Sequence, residues 1–397
     1  MGQGKTPRIA LVWAQFAAYH VDRCEAVARR FADRADLLAV EVATTSTDYS
    51  WEPSGAVAGA AKLTMFPGRS YEAIGHMARI WALFRALRRC DWVMIGLSYA
   101  EFDVVILTLM LRLCGVKLVV LSESKFDDRP RKPWREWLKR AVLSLYHGAI
   151  VGGARHRDYF RYLGFRRRPV LPGYDGVGLD RVRRQGGGVL APHGAPYATR
   201  PFVFVGRFVD KKNLHVLVAA HAAYALMAGE GARRLVLAGS GPEEASLRAR
   251  IADLGTAHLV DFTGFLPAAE VSKLLAGALA LVLVSVEEQW GLVVNEALAF
   301  GLPVIVSTPV GARDLLVRDG VNGFVVDPAD IDGIARALHA ISGNQADWER
   351  MAGASHQRSW LGDSDRLADA VAAMVGLLEA PGLSRMHETI QAMEQAD

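Results

Sequence analysis

Cysteine is scarce in this chain of 397 residues, with only Cys24, Cys90 and Cys114. Three scattered thiols cannot form a disulfide framework or a zinc site, and they point to a reducing, cytoplasmic compartment. Long apolar runs are missing as well. The oiliest region, Val104 to Val120, is broken by Arg112 and Lys117 and falls short of the roughly 20 residues of a membrane span. The first apolar run is the strand-length Ile9 to Val12, so the opening does not read as a signal peptide. Met1-Gly2-Gln3-Gly4-Lys5-Thr6 imitates a myristoylation signal and the end of a P-loop, but no strand and first glycine precede it, and it reads as a tail. A metal-binding D-x-D after a strand is also lacking. Asp363-Ser364-Asp365 is the only such triplet; it follows a helical region and reads as a helix start. No internal repeat of solenoid length is visible.

What is present is the composition of a folded chain, 51% hydrophobic and 22% charged, long enough for two domains. The net charge of +4 hides an asymmetry. Residues 1–200 hold 31 Lys and Arg against 18 Asp and Glu, whereas residues 201–397 hold 15 against 24. Such a split suggests that the first half meets an anionic surface and the second does not.

Hydrophobic periodicity alternates between strand and helix in both halves. Strand-like runs at Arg8–Trp13, Leu37–Val42, Trp92–Ile95, Lys117–Leu121, Gly148–Val151 and Pro169–Leu171 are separated by helical stretches. Between about Leu179 and Arg200 the pattern stops in a Gly-, Pro- and Ala-rich segment, which reads as a linker. It resumes with strands at Phe202–Val205, Leu235–Ala238, Leu259–Phe262, Ala280–Val284, Val304–Val306 and Phe324–Val326. These runs are apolar throughout, as parallel strands buried on both faces must be. The expected fold class is α/β, with two doubly wound domains and a ligand cleft beyond the carboxyl ends of their strands. The expected boundaries are an amino-terminal domain over 1–180, a linker over 181–200, a second domain over 201–360, and carboxyl-terminal helices over 361–397. Those last helices are expected to cross back to the first domain, with Trp360 as a packing anchor.

Three segments of the second half carry chemistry. In Phe202-Val-Phe-Val-Gly206-Arg207-Phe-Val-Asp-Lys-Lys212 a buried strand ends at a glycine, and two cations suited to a diphosphate follow five residues apart. In Glu288-Gln-Trp290-Gly291-Leu292-Val293-Val-Asn-Glu296 a glycine opens a helix. Its first amides and positive dipole end suit an anion. Glu296 lies about 7.5 Å further along the axis than Gly291, so the two carboxylates could hold hydroxyls at two places on an extended ligand. Leu237-Ala-Gly239-Ser-Gly241-Pro242 imitates a dinucleotide fingerprint but lacks its third glycine, and reads as a structural loop.

Taken together, VGRFVDKKN, LAGSGPEE, DFTGF, EQWGLVVNEALAFGLPVIVS, PVGARDLL and DGVNGFVVDPAD resemble family 4 glycosyltransferases, retaining enzymes of the GT-B fold. The resemblance runs in order from about Phe202 to Ile341. It implies two facing Rossmann-like domains with a cleft between them, and a nucleotide-sugar donor, a UDP- or GDP-sugar. Arg207 and Lys212 would neutralise the diphosphate, and Glu296 would hold the ribose hydroxyls. Glu288 would face the transferred sugar, and the amides around Trp290, Gly291, Leu292 and Val293 would touch sugar and β-phosphate. Gly206 would allow close approach, and the base would lie near Gly264 and Phe265. The family needs no metal or other cofactor. It implies a hexosyltransferase acting on a glycan or lipid-linked acceptor in bacterial surface polysaccharide or glycolipid assembly. A nucleotide-sugar epimerase, a phosphorylase of the same fold and an inactive nucleotide-sugar-binding protein remain alternatives.

The first half departs from the family. The glycine pair that many members carry after the first strand is replaced by Trp13-Ala-Gln15-Phe-Ala-Ala-Tyr19-His20. The histidine after the fourth strand is replaced by Ser122-Glu123-Ser124. His20, Glu123 and Ser124 are the candidate substitutes, with His20 also readable as a cap. Lys125 to Arg140 interleaves seven basic residues with Phe126, Trp134 and Trp137, the composition of an interfacial helix facing anionic lipid. Arg131, Lys132, Trp134, Trp137, Lys139 and Arg140 are its candidate membrane residues, placing the protein on the inner face of the cytoplasmic membrane. A solvated basic face is the competing reading. A nucleic-acid surface is disfavoured, since no nucleic-acid motif accompanies the charge.

Overall fold

The computed structural model describes residues 6–32, 34–47, 54–128, 130–376 and 380–395; the opening Met1–Lys5 lie outside them. The chain divides into two compact units, one of residues 1–178 and 364–394 and the other centred on 179–363.

In the first unit seven strands form one sheet: β1 (Arg8–Trp13), β2 (Asp36–Thr45), β3 (Ala61–Ser70), β4 (Trp92–Ile95), β5 (Lys117–Ser122), β6 (Gly148–Val151) and β7 (Val170–Pro172). Their order is β3-β2-β1-β4-β5-β6-β7, and every pair is parallel. The connecting helices are α1 (Ala18–Phe31), α2 (His76–Leu87), α3 (Phe102–Leu113), α4 (Pro133–Leu143) and α5 (Ala154–Tyr162). Right-handed crossovers send α2 to α5 to one face of the sheet and α1 to the other. Leu83, Leu107, Leu143 and Phe160 accordingly pack with Val93 and Val120 in one core layer. Val27 and Phe31 pack with Leu11 and Val119 in the opposite one.

The second unit opens with α6 (Leu179–Gln185). Its strands β8 (Phe202–Val205), β9 (Leu235–Ala238), β10 (Val260–Gly264), β11 (Ala280–Leu283), β12 (Val304–Ser307) and β13 (Gly323–Val326) follow the order β10-β9-β8-β11-β12-β13. All are parallel. Its remaining helices are α7 (Leu214–Ala228), α8 (Glu244–Asp253), α9 (Ala268–Ala276), α10 (Leu292–Ala299), α11 (Arg313–Leu316), α12 (Ile331–Gly343) and α13 (Gln345–Arg358). Asp330 caps α12 by accepting from the Gly333 amide at 2.8 Å, and Asn344 caps α13 through the Ala346 amide at 2.8 Å, each satisfying amides the helix itself leaves unpaired.

The last elements, α14 (Asp365–Val375) and α15 (Ala380–Glu394), belong to the first unit. Leu367, Val371 and Met386 enter the core layer that contains Leu11 and Val27. The Ser364 amide donates to Val177 O at 2.9 Å. Asp369, 1% exposed at its side chain, accepts Arg30 at 2.7 Å, Arg366 at 3.0 Å and Arg385 at 3.2 Å. Asp365 starts α14 and pairs with Arg29 at 3.1 Å, so the D-x-D triplet is a helix start.

One expectation needs correction. The segment 181–200 is not a free linker: α6 runs into it, and the Ala191 amide donates to Phe300 O at 2.8 Å. Arg200, 1% exposed, donates to the carbonyls of Ala276 at 3.0 Å and Ala278 at 2.7 Å. Its glycines and prolines shape turns packed on the second unit. Trp360 lies only half-buried in the short turn Ser359–Gly362. Within the first unit α14 is anchored by its own Leu367 and Val371, and in the second unit Trp348, 2% exposed, donates from Nε1 to Leu279 O at 2.8 Å.

Candidate active site

In the second unit the loops leaving β8, β9 and β10 are laced together at the carboxyl edge of the sheet. The Gly206 amide donates to Ala238 O at 2.9 Å, the Gly239 amide to Gly264 O at 2.9 Å, and the Phe208 amide to Ser240 O at 2.8 Å. Gly239 has φ +144°, and a Cβ there would stand 1.9 Å from Gly206 O. Only glycine permits this approach. Phe265, just past β10, is 63% exposed on the same edge.

The turn after Gly206 brings Lys212 to the end of β11. Asn213, at φ 59°, fixes it there. Its Nδ2 donates to Val284 O at 3.1 Å and to Pro328 O at 2.7 Å, and Val286 N donates to Lys211 O at 2.9 Å. Lys212 Nζ is ion-paired with Glu288 Oε2, with both side chains 15% exposed. The same carboxylate oxygen accepts from Ser285 Oγ at 3.1 Å. A Cβ on Gly206 would lie 3.7 Å from Lys212 Cε, and one on Gly291 would lie 3.5 Å from Glu288 Cγ. Gly206, Lys212, Glu288 and Gly291, separated by up to 85 positions in sequence, thus form one contiguous patch.

Gly291 stands at the N-cap of α10 with φ +99°, a left-handed conformation in which a Cβ would also meet Leu283 Cδ2 at 2.9 Å. The start of α10 is held from behind. Trp290, 2% exposed, donates from Nε1 to Asn295 Oδ1 at 2.9 Å. Asn295 Nδ2 donates to Gly362 O at 2.9 Å, and Trp290 O accepts from Ala312 N at 3.0 Å. The side chains of α10 that are not buried are Leu292, Val293 and Glu296, which helical spacing puts on one face. The first-turn amides, the Lys212–Glu288 pair and Glu296 therefore belong to one open surface. Arg207 is exposed at the entrance of the same turn as Lys212. Sequence reasoning missed Asn213, Ser285 and Asn295 as positioning residues. For Asn213 a signal existed, because asparagine is the residue that tolerates a left-handed cap.

His20 and Glu123 belong to the first unit. His20 is 4% exposed, and its ring packs against those of Trp13 at 4.9 Å and Tyr19 at 4.2 Å. Its Nδ1 accepts from the Ala17 amide at 2.9 Å, so it caps α1. Burial, helped by Arg23, holds its pKa well below the usual value. Glu123 is half-exposed just past β5 and hydrogen-bonds Asp175, which follows β7. Burial first, then the Glu123 charge, pushes the Asp175 carboxyl well up. Arg23, fully buried, lies 3.6 Å from Asp175 and donates from Nε to Gly176 O at 2.9 Å. Neither Asp175 nor Arg23 stood out in sequence.

The basic stretch around α4 is split. Lys132, Trp134, Trp137 and Arg140 face outward. Arg131 and Lys139 turn inward instead: Arg131 donates to Phe126 O at 2.7 Å, and Lys139 donates to Glu136 at 2.9 Å and Tyr159 OH at 2.8 Å. The buried acid Glu136 draws both cations off the surface. Among the described residues no group of three or more His, Cys, Asp or Glu is placed to hold a metal ion, and no helix is long and apolar enough to cross a membrane.

Comparison with known proteins shows what the chain is similar to. Residues 192–358 match the family model of glycosyl transferases group 1. Residues 192–358 thus form a region of the group 1 glycosyltransferase type. It is 32% identical over 200 residues to the lipopolysaccharide core biosynthesis glycosyltransferase LpsE of Rhizobium meliloti, covering 49% of this chain and 54% of that one, so the chain spans about half the length of that relative. It is 31% identical to the D-inositol 3-phosphate glycosyltransferase of Streptomyces griseus over 73% of this chain and 66% of the other. Among solved structures, Anabaena HepE in complex with UDP and glucose superposes with a TM-score of 0.66 over 93% of this chain and 99% of that one, at 17% identity. The two parallel sheets are the Rossmann-like halves of a GT-B fold.

Proposed function

We propose that this glycosyltransferase is a retaining, metal-independent hexosyltransferase. It moves a sugar from a UDP- or GDP-sugar to a glycan or lipid-linked acceptor in bacterial surface polysaccharide or glycolipid synthesis, working in the cytoplasm at an anionic membrane surface. The observation that carries the reading is the patch joining Lys212, Glu288 and the amino terminus of α10. Cations and oriented amides placed where a nucleoside diphosphate departs stabilise the developing charge, so neither a metal nor another cofactor is required. In this reading Arg207 and Lys212 take the diphosphate charge. The amides of Gly291, Leu292 and Val293 reach the β-phosphate and sugar, Glu296 binds the ribose, and Glu288 binds sugar hydroxyls. Gly206, Gly264 and Phe265 line the nucleotide, and Trp290 holds the helix start in place. Glu123, held by Asp175, takes the part of the histidine that the family resemblance implies after that strand. His20, a buried cap, supports α1. The kinship with an enzyme of lipopolysaccharide core biosynthesis supports the acceptor class, and the UDP of the Anabaena complex supports the donor.

The test is turnover of purified protein with UDP- and GDP-sugars in the presence of a chelator, followed by the anomeric configuration of the product. Nucleoside diphosphate release with retained configuration supports the reading. Inversion, a need for divalent metal, or interconversion of the donor without an acceptor overturns the corresponding part. Tight donor binding with no turnover identifies the chain as a nucleotide-sugar-binding protein.

A further inference from the structure

Ten of the eighteen large apolar side chains exposed among the described residues lie between Met77 and Tyr162. All ten are on or beside the helices that cover one face of the first sheet, whereas α1, α14 and α15 on the other face contribute only Leu383. On α3 they form a stripe, Phe102 at 66%, Leu109 at 47% and Leu113 at 79% exposure. Val105 and Ile106 lie half-buried along the stripe's inner edge. The neighbouring α2 adds Met77 and Trp81, and α4 adds Trp134 and Trp137. Apolar side chains gathered on one face in this way mark an interaction site.

Charge decides the partner. α2 carries no acid, and its Arg85 is exposed, with Arg88 and Arg89 exposed just beyond its end. α3 and α4 carry one acid each, Asp103 and Glu136, and both are buried and neutralised internally. Asp103 accepts Arg79 at 2.6 Å, and Glu136 accepts Lys139 at 2.9 Å. The outward faces of the three helices therefore carry no exposed acid and mix apolar side chains with arginines, Lys132 and the exposed His76. Two copies placed face to face would oppose these cations to one another. An anionic bilayer offers both an acyl boundary and headgroup phosphates.

We propose that the outer face of α2, α3 and α4 seats the first unit on an anionic lipid bilayer. The α3 stripe and the tryptophans of α4 enter the acyl boundary, and the arginines of α2 and α4 meet the phosphates. This rests on the membrane-surface reading above and moves its centre from the basic stretch of α4 to the apolar stripe of α3.

The experiment is co-sedimentation of the full chain with vesicles of phosphatidylglycerol and phosphatidylcholine, and with phosphatidylcholine alone, at low and high salt. The variants are Leu109→Glu/Leu113→Glu, Trp134→Ala/Trp137→Ala and a control, Leu226→Glu, at an 88% exposed position of α7. Wild type and the control should pellet with anionic vesicles and detach at high salt. The α3 pair should lose at least tenfold in partition and the α4 pair severalfold, all with thermal midpoints near that of wild type, because the positions are exposed. Wild-type binding that the α3 pair leaves unchanged overturns the assignment of the face while the membrane reading stands. No binding by wild type overturns both. A wild-type dimer in light scattering that the α3 pair dissociates, without vesicle binding, assigns the face to a second copy and also overturns the proposal.

Discussion

Lys212 and Glu288 hold each other, so a diphosphate that reaches Lys212 must compete with the Glu288 carboxylate for it. Removing that competitor has opposite effects on binding and on turnover. In Glu288→Gln the nucleoside diphosphate should bind about three- to tenfold more tightly by calorimetry, since a partly buried competing charge is gone. Sugar transfer should fall by about 10²–10³, the usual cost of losing one group that acts on the transition state. Equal weakening of both would show that Glu288 only supports the fold. At His20 the expected pH effect is one of stability. Its folded pKa is depressed, so the neutral ring's contribution is full above the unfolded value of about 6.5 and is lost as pH falls below it. Asp175, whose carboxyl is raised, works the other way, favouring the fold at low pH and losing that contribution as pH rises through its folded value. A difference measurement separates the two. Relative to His20→Asn, which keeps a capping oxygen, wild type should lose up to about 1.4 kcal/mol per pH unit on acidification below pH 6.5. Parallel unfolding curves from pH 7 to 5 would contradict the assignment.

At the scale of elements, what was legible in the sequence was what burial writes into it. β8 and β9, all Phe, Val, Leu and Ala between polar flanks, have the boundaries that periodicity alone predicts. β3 was not legible, because AKLTMFPGRS carries Pro67 and Gly68 and is only half-buried. An edge strand tolerates both residues where a central one does not. α13 was legible only as a helical region of no stated bounds before Asp363, for a different reason. Its inward positions Trp348, Met351, Ala352 and Ser355 have helical spacing, but two are small and give little hydrophobic signal. Helix α14 was legible as a helix, and its place in the first core makes a prediction. Leu367, fully buried between α1 and the sheet, should cost about 2–5 kcal/mol on truncation to alanine, measured by denaturant unfolding; a loss under about 1 kcal/mol would mean the layer collapses to fill the space. The start of α10 is equally demanding. Gly291→Ala forces a side chain into a left-handed backbone and against Leu283, so nucleoside diphosphate affinity should drop at least tenfold, with a lower melting temperature. Unchanged binding would show that the amides of this helix do not touch the ligand.

For the whole molecule, the candidates for the proposed site could be picked out because they sit in loops of telling spacing, and the structure brings Gly206, Lys212, Glu288 and Gly291 into one patch. Arg207, Lys212, Glu288, Gly291 and Glu296 could be named from the chain alone. What sequence could not give is the set of contacts that hold them: Asn213 reaching Val284 and Pro328, or Asn295 reaching Gly362. Those depend on residues 67 to 115 positions away, which no local pattern encodes. In the first unit the charge surplus was visible and its direction was not. Arg131 and Lys139 count as surface cations in a sequence and as partners of Glu136 in the fold.

The measurement that bears most directly on this account is the steady-state release of nucleoside diphosphate from a UDP- or GDP-sugar by wild type and Lys212→Ala. Loss of kcat by about 10² or more in the variant, with the fold intact, is what charge stabilisation at the departing diphosphate predicts. A variant that keeps the wild-type kcat and raises only KM would contradict it.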